Sequence, residues 1–234
     1  MTTTARVTLS RADEVYVGNA VKTGYTPDGR AGVKLDVLKF IDFGVPNTAS
    51  ATGILNGVTT FTNSTVTVTA GGLVLSTLDV PRNLTAVAGT TAHTQVVRVT
   101  GADVYGIDMV EDLTLNGTTA VTGVKAFKTL SGVSIPPGAA ASTVNLGFGD
   151  ALGIPFRLAS TADLVDALLV DYVHNTTATY VTGLAVTVVS TAGSSDVRGT
   201  VTSTGSLPNG ARRYKLLVNI PNISDAPTAF GVSQ

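Results

Sequence analysis

Thr and Val alternate along much of this chain, and that alternation limits the fold more than any other feature of the sequence. Both residues branch at Cβ, which crowds a helix and suits a pleated strand. A period of two sends successive side chains to opposite faces, so a strand with one buried face reads apolar, polar, apolar. Thr65 to Thr69 reads Thr-Val-Thr-Val-Thr. Tyr214, Leu216, Val218 and Ile220 fall on one face, with Arg213, Lys215 and Asn219 on the other and Leu217 as the exception. Tyr180, Thr182, Leu184, Val186 and Val188 repeat the pattern, as do Val97 and Val99. Such segments recur about every 8–12 residues, the spacing of sandwiches and barrels. The expected fold is all-β: an antiparallel β-sandwich, jelly-roll or Ig-like, with an extended N-terminal arm and at most one short helix.

Turn chemistry agrees. Asn-Gly and Asp-Gly supply the positive φ that tight hairpins need, and they occur at Asp28-Gly29, Asn56-Gly57, Asn116-Gly117 and Asn209-Gly210. Pro46, Pro81, Pro136-Pro137, Pro155, Pro208, Pro221 and Pro227 are expected in loops or at edges, because proline cannot donate to a central ladder. Ser160-Thr-Ala-Asp163 resembles a capping box, with Leu164, Val165, Leu168 and Leu169 following at helical spacing. That predicts a short helix over 161–169, or else a buried strand from Leu168 to Val173.

Residues 1–50 are loop-rich, with Gly18-Asn19, Gly24, Pro27-Asp28-Gly29 and Gly44 to Pro46, and suggest an arm with short strands, one near Val33 to Phe40. Residues 51–234 form the sandwich, with a split into two β-subdomains near 136 as the alternative. Leu55-Asn-Gly57 and Leu115-Asn-Gly117 look alike, but turn chemistry alone produces such a likeness.

Charge narrows the function. Charged residues make up 13% of the chain, against about 25% in an ordinary soluble domain, and hydroxyls and amides replace them. Such a surface repels its own copies little, which favours assembly. A net charge of −1 offers no footprint for nucleic acid, and the one dense basic run, Arg212-Arg213-Tyr214-Lys215, reads as an exposed strand start after a turn. The uncharged stretch from Gly44 to Leu78 is broken throughout by Thr, Asn, Ser and Gly, so no membrane span is expected. There is no cysteine, and Met1 to Arg6 lacks the apolar core of a signal peptide, which points to use without export.

The residues that could carry chemistry are few. His93 and His174 are the only histidines, and no H-x-x-x-H spacing exists, so no histidine metal site is expected. His174 precedes Asn175-Thr-Thr177 and reads as part of a solvated turn. Acids gather as Asp103, Asp108, Glu111 and Asp112, and as Asp163, Asp166 and Asp171. Two such groups could serve glycoside hydrolysis, but the chain has no Trp to platform a sugar, and solvent-facing acids on alternate strand positions are the simpler reading. Gly147-Phe-Gly-Asp-Ala-Leu-Gly153 has the wrong spacing for a phosphate loop, lacks the following Lys and runs into Pro155; a strand-end loop with close backbone approach is expected instead. Gly193 to Gly199 lacks the nucleophile-elbow pattern. No catalytic, cofactor-binding or metal-ligating residue is expected.

Three segments carry a family likeness: Leu78-Asp-Val-Pro-Arg-Asn83, Val110-Glu-Asp-Leu-Thr-Leu-Asn-Gly117 and Gly123-Val-Lys-Ala-Phe-Lys128. With Leu146 to Pro155, Asp196 to Thr200 and Arg213 to Leu216 downstream, they resemble the capsid decoration, or cement, proteins of tailed bacteriophages. The resemblance implies a β-rich virion subunit, often a homotrimer, that docks on the outside of the expanded shell and bridges major capsid protein subunits, with no catalytic residues. It implies a virion location after synthesis in the host cytoplasm. A tail or fibre component that recognises the host, with Tyr105, Tyr172 and Tyr180 converging on a groove, is the alternative.

Overall fold

The structure is a computed structural model that describes residues 7–11, 14–17, 37–158, 160–161, 164–183 and 198–220. It is all-β, sandwich-like and antiparallel in every pairing. The first strands are β1 (Val7–Arg11), β2 (Glu14–Val17), β3 (Val37–Gly44), β4 (Ser50–Thr60), β5 (Val66–Thr69), β6 (Thr77–Ala88), β7 (Val96–Ala102) and β8 (Asp108–Thr114). They are followed by β9 (Val121–Thr122), β10 (Phe127–Ile135), β11 (Ser142–Gly153), β12 (Leu168–Val170), β13 (Val173–Asn175), β14 (Thr179–Thr182), β15 (Gly199–Thr202) and β16 (Tyr214–Ile220). Among the described residues the helical assignments are 3₁₀ alone: a turn at Ala70–Gly72, and Thr161.

Six strands form one sheet in the order β1-β2-β3-β16-β12-β13. The other sheet runs β14-β15-β11-β6-β10-β7-β8, with β4 added on β11, β5 on β10 and β9 on β6. The hydrophobic interior has two clusters. Ile54, Leu55, Leu84, Val97, Phe127 and Leu146 centre the first; Ile41, Phe43, Leu152, Leu168, Tyr214 and Leu216 centre the second. Strand β11 serves both, giving Val144, Leu146 and Phe148 to one and Leu152 to the other. Within the segment expected as an arm, β3 lies between β2 and β16, with Ile41 and Phe43 buried; residues 18–36 lie outside the described set.

Period two predicts the faces well. Tyr214, Leu216 and Val218 are buried and Arg213 is exposed, as are alternate residues of β7 around Val97 and Val99. Five local readings change. Asn56-Gly57 is no hairpin but a bulge inside β4: Val58 pairs with Val144 and Leu55 with Leu146, Gly57 takes φ +61°, and its N–H donates to Asn145 Oδ1 at 2.6 Å. Asn116-Gly117 does make a turn, closed by Thr119 N–H to the Asn116 carbonyl. Pro81 sits inside β6, where the ladder to β10 jumps from Arg82↔Phe127 to Thr77↔Thr129; that irregularity relieves proline of any ladder duty. The segment Gly147 to Gly153 is not a loop but the second half of β11, and its glycines admit neighbours: a Cβ on Gly147 would lie 1.8 Å from the Ser50 carbonyl oxygen, and one on Gly153 2.4 Å from Ala126 Cβ. Of the helical reading of 161–169, Thr161 is 3₁₀ and residues 162–163 lie outside the described set; from Leu164 on the alternative of a strand holds in part, since Leu164 bridges to Val218 and Leu168–Val170 is β12, where the apolar Leu168 and Val170 find a sheet neighbour in β16. The fifth is His174, which lies in β13 and not in a turn.

Candidate functional site

Three charged residues of the motif segments, Arg82, Glu111 and Lys125, are buried, and with Lys128 they tie strands together. The unbroken β7–β8 register, from Val96↔Thr114 to Ala102↔Asp108, puts Met109, Glu111 and Leu113 on the inner face of β8. Glu111 is thus buried, a correction to the solvent-facing reading. Its Oε1 accepts the N–H groups of Val124 at 2.6 Å and Lys125 at 3.0 Å, ahead of β10. Lys125, also buried, donates from Nζ to the Val110 carbonyl at 2.7 Å. Lys128 reaches the other way, donating to the carbonyls of Leu78 at 2.6 Å and Asp79 at 2.9 Å on β6. The V-E-D-L, K-A-F-K and D-V-P-R-N segments are therefore one connected unit in space.

Arg82 anchors the far end of that unit. It is fully buried, with Nε donating to the Gly149 carbonyl at 2.8 Å and Nη1 to the Asn47 carbonyl at 3.0 Å and to Asp79 Oδ2 at 3.3 Å. Asp150 Oδ1 lies 3.8 Å from Nη2, and the Phe148 ring packs 5.1 Å from the guanidinium carbon. Burial lowers the Arg82 pKa and the two carboxylates oppose it. Burial likewise raises Asp150, with Arg82 pulling it back. Arginine keeps its charge in such a place because its ordinary pKa is so high.

Beside this anchor lies a cleft of about 530 Å³, lined by Ser50, Asn83, Thr85, Thr122, Phe148, Asp150 and Thr200 among others. Asn83 closes its floor, donating to the Gly123 carbonyl at 3.3 Å and accepting from Ala151 N–H at 3.0 Å. Asp150 is the one titratable group in the lining. Acid–base cleavage of a glycoside needs two carboxyls across the bond, which this cleft does not supply from its described walls.

The remaining candidate residues are dispersed. Asp103 is buried against Arg198, with Nη1 to Oδ2 at 2.5 Å, and its Oδ1 accepts the N–H groups of Tyr105 and Ile107. Asp112 is exposed and grips Arg98 through two bonds of 2.8 and 2.7 Å, which lower its pKa. Asp108 is exposed at the start of β8. Asp166 meets His174 Nδ1 at 3.0 Å, Asp171 accepts Arg213 N–H at 2.8 Å, and Asp163 lies outside the described residues. His93 is fully buried: its Nε2 donates to the Ala140 carbonyl at 2.9 Å and Nδ1 accepts from the Gln95 amide at 2.6 Å. No three metal-ligating side chains converge among the described residues. Nor do the tyrosines share a groove: Tyr105 covers Arg198 and donates to the Pro155 carbonyl, Tyr180 accepts from Leu168 N–H, and Tyr172 stands over Lys215. The role of Arg82 escapes a reading by alternation, and its trace in the sequence is an arginine between Pro81 and the strand residues Asn83 to Ala88.

No family model matches the chain, and no curated protein or solved structure is significantly similar to it.

Proposed function

We propose that this protein is a structural subunit that works through its surfaces, as a decoration protein on the outside of a tailed-phage capsid, where it self-associates as a homotrimer and bridges major capsid protein subunits. The observation that carries the surface-acting part is the division of labour among side chains. The buried charges are used inside the fold, Glu111, Lys125 and Arg82 in ties between strands and Asp103 with Arg198, while Phe61, Val74, Tyr172, Val173, Val181 and Leu207 stand exposed. A contiguous patch of such side chains marks a surface that a partner covers, and these residues are the ones that could build it. The capsid as partner rests on the resemblance of the motif segments alone.

A subunit that binds only the expanded lattice stabilises it by linkage, and several weak contacts per oligomer multiply that effect. The test mixes the full-length protein with expanded capsids lacking their decoration and measures co-sedimentation and the temperature at which the shells open. Saturable binding and a raised opening temperature are expected. Absence of binding to shells, or labelling of the tail in intact virions, refutes the capsid role.

A further inference from the structure

The ladder between β6 and β11 breaks at one point. Phe148 pairs with Leu84 and Leu152 with Arg82, so Gly149, Asp150 and Ala151 stand opposite Asn83 alone. Bulges of this kind bend a strand and re-aim a side chain, and they collect beside functional sites. Two side chains of β6 take over from the missing ladder: Arg82 Nε donates to the Gly149 carbonyl at 2.8 Å, and Asn83 Oδ1 accepts from Ala151 N–H at 3.0 Å. The bulge is thereby fixed, and its middle residue, Asp150, is carried into the wall of the cleft of about 530 Å³.

The charge there does not balance. Arg82 serves two carboxylates, Asp79 Oδ2 at 3.3 Å and Asp150 Oδ1 at 3.8 Å, the second beyond hydrogen-bond reach. One guanidinium between two acids leaves a single negative charge over. Arg82 is fully buried, whereas the Asp150 side chain is 27% exposed, so the excess faces the cleft. The rest of the described lining is uncharged. Phe148 and Ala51 give it apolar walls, Val124 and Val181 stand exposed along it, and Thr122 and Thr200 add hydroxyls.

A single carboxylate among apolar walls matches a cation carried on an aliphatic stem, since such side chains lay the stem on apolar surface and keep the head on a polar group. Oδ1 of Asp150 lies toward Arg82, which leaves one oxygen for a partner. That suits the point charge of an ammonium better than the two-pronged fork of a guanidinium. We propose that the cleft holds a lysine side chain presented by a partner protein, with its stem against Phe148 and the two valines and its ammonium on Asp150. Asn83 also donates to the Gly123 carbonyl at 3.3 Å, which braces both walls and leaves little ordering to the binding step. This deepens the surface-acting reading by giving one contact a chemistry, and it rests on that reading for the partner being a protein. Its test contains no capsid, so a cleft that takes lysine on a protein that fails to bind shells upholds this inference and sinks the other.

N-acetyl-lysine N-methylamide is titrated into the isotope-labelled full-length chain at constant ionic strength, and the backbone amides are followed by NMR. Saturable shifts are expected at Asn83, Thr122, Ala151 and Thr200, with a dissociation constant of about 1 mM, the affinity usual for a ligand of this size. The norleucine analogue keeps the stem without the ammonium, and ammonium chloride lacks the stem; each is expected to bind at least tenfold more weakly. Asp150→Asn keeps the shape and leaves Arg82 its bond to Asp79, so it is expected to fold as the parent does and to weaken lysine binding at least tenfold. Ala120→Phe, at an exposed position of the lining, is expected to block the cleft. Asp108→Asn removes an exposed acid outside the cleft and is expected to leave the affinity unchanged. Equal affinity for the lysine and norleucine analogues, equal binding of ammonium alone, binding that survives Asp150→Asn or Ala120→Phe, loss of binding in Asp108→Asn, or no saturable shift at all each overturns the inference.

Discussion

Replacing Arg198 by Met is expected to destabilise the protein by about 3–5 kcal/mol, the usual loss when one partner of a buried ion pair is removed. The geometry places the pair at the costly end. The side chains of Asp103 and Arg198 are 2% and 3% exposed and meet at 2.5 Å, so the carboxylate left behind would keep its burial and lose its cation. It could not turn to water without giving up the N–H groups of Tyr105 and Ile107, which it accepts at 2.7 and 3.0 Å to hold the β7–β8 loop. For a chain of this size that loss lowers the melting temperature by roughly 6–20 °C. The double variant Asp103→Asn/Arg198→Met should recover a large part, because the asparagine oxygen still accepts both N–H groups and no net charge stays buried. A coupling of roughly 1–3 kcal/mol between the sites is expected from the cycle. Urea titration followed by circular dichroism measures all four proteins. A loss below about 1 kcal/mol for Arg198→Met, the range of solvent-exposed pairs, would refute the reasoning, as would a double variant no more stable than that single one.

Other outcomes follow from the same structure. Gly147→Ala should unpair β4 from β11 and yield little soluble protein, since the new methyl would meet the backbone oxygen of Ser50 at 1.8 Å; hydrogen exchange on β4 checks this in any soluble fraction. Lys128→Met removes two charge-assisted bonds to the carbonyls of Leu78 and Asp79 and should cost about 1.5–3 kcal/mol in the same urea assay. Partial burial alone would raise the Asp42 carboxyl, but Arg213, the Gly44 N–H and Lys215 together hold it below its ordinary 3.8. A lowered acid stabilises the fold above its unfolded pKa and loses that contribution as pH falls through the folded one. Asp42→Asn should therefore flatten the decline in melting temperature below about pH 4.

Much of the fold is legible because the side-chain period survives tertiary packing. Buried Tyr214, Leu216 and Val218 follow from their spacing alone. What escapes is anything set by a neighbouring strand. Asn56-Gly57 has the chemistry of a hairpin, but Asn145 on β11 captures the glycine N–H and makes a bulge of it. Gly147 to Gly153 has the composition of a loop, yet these glycines let β4 and Ala126 press close to a central strand. Leu164 to Leu169 carries a helical period that loses to the open edge of β16. In each case the local signal is real, and a partner distant in sequence decides its use.

The same distinction bears on the acids. Read along the chain, Asp103, Asp108, Glu111 and Asp112 form a cluster. In the sheet they separate, because Glu111 and Asp112 are strand neighbours and must point to opposite faces, while Asp103 lies beyond the strand and turns to Arg198. Adjacency within a strand is thus evidence against a shared site, and a close pair of acids comes more readily from different strands at one level of the sheet. Glu111 has such cross-strand neighbours, and they are the backbone N–H groups of Val124 and Lys125, from which its Oε1 accepts. Those two bonds tie β8 to the segment that leads into β10. Replacing Glu111 by Leu should accordingly loosen the start of β10, seen as faster exchange of the Val124 and Lys125 amides.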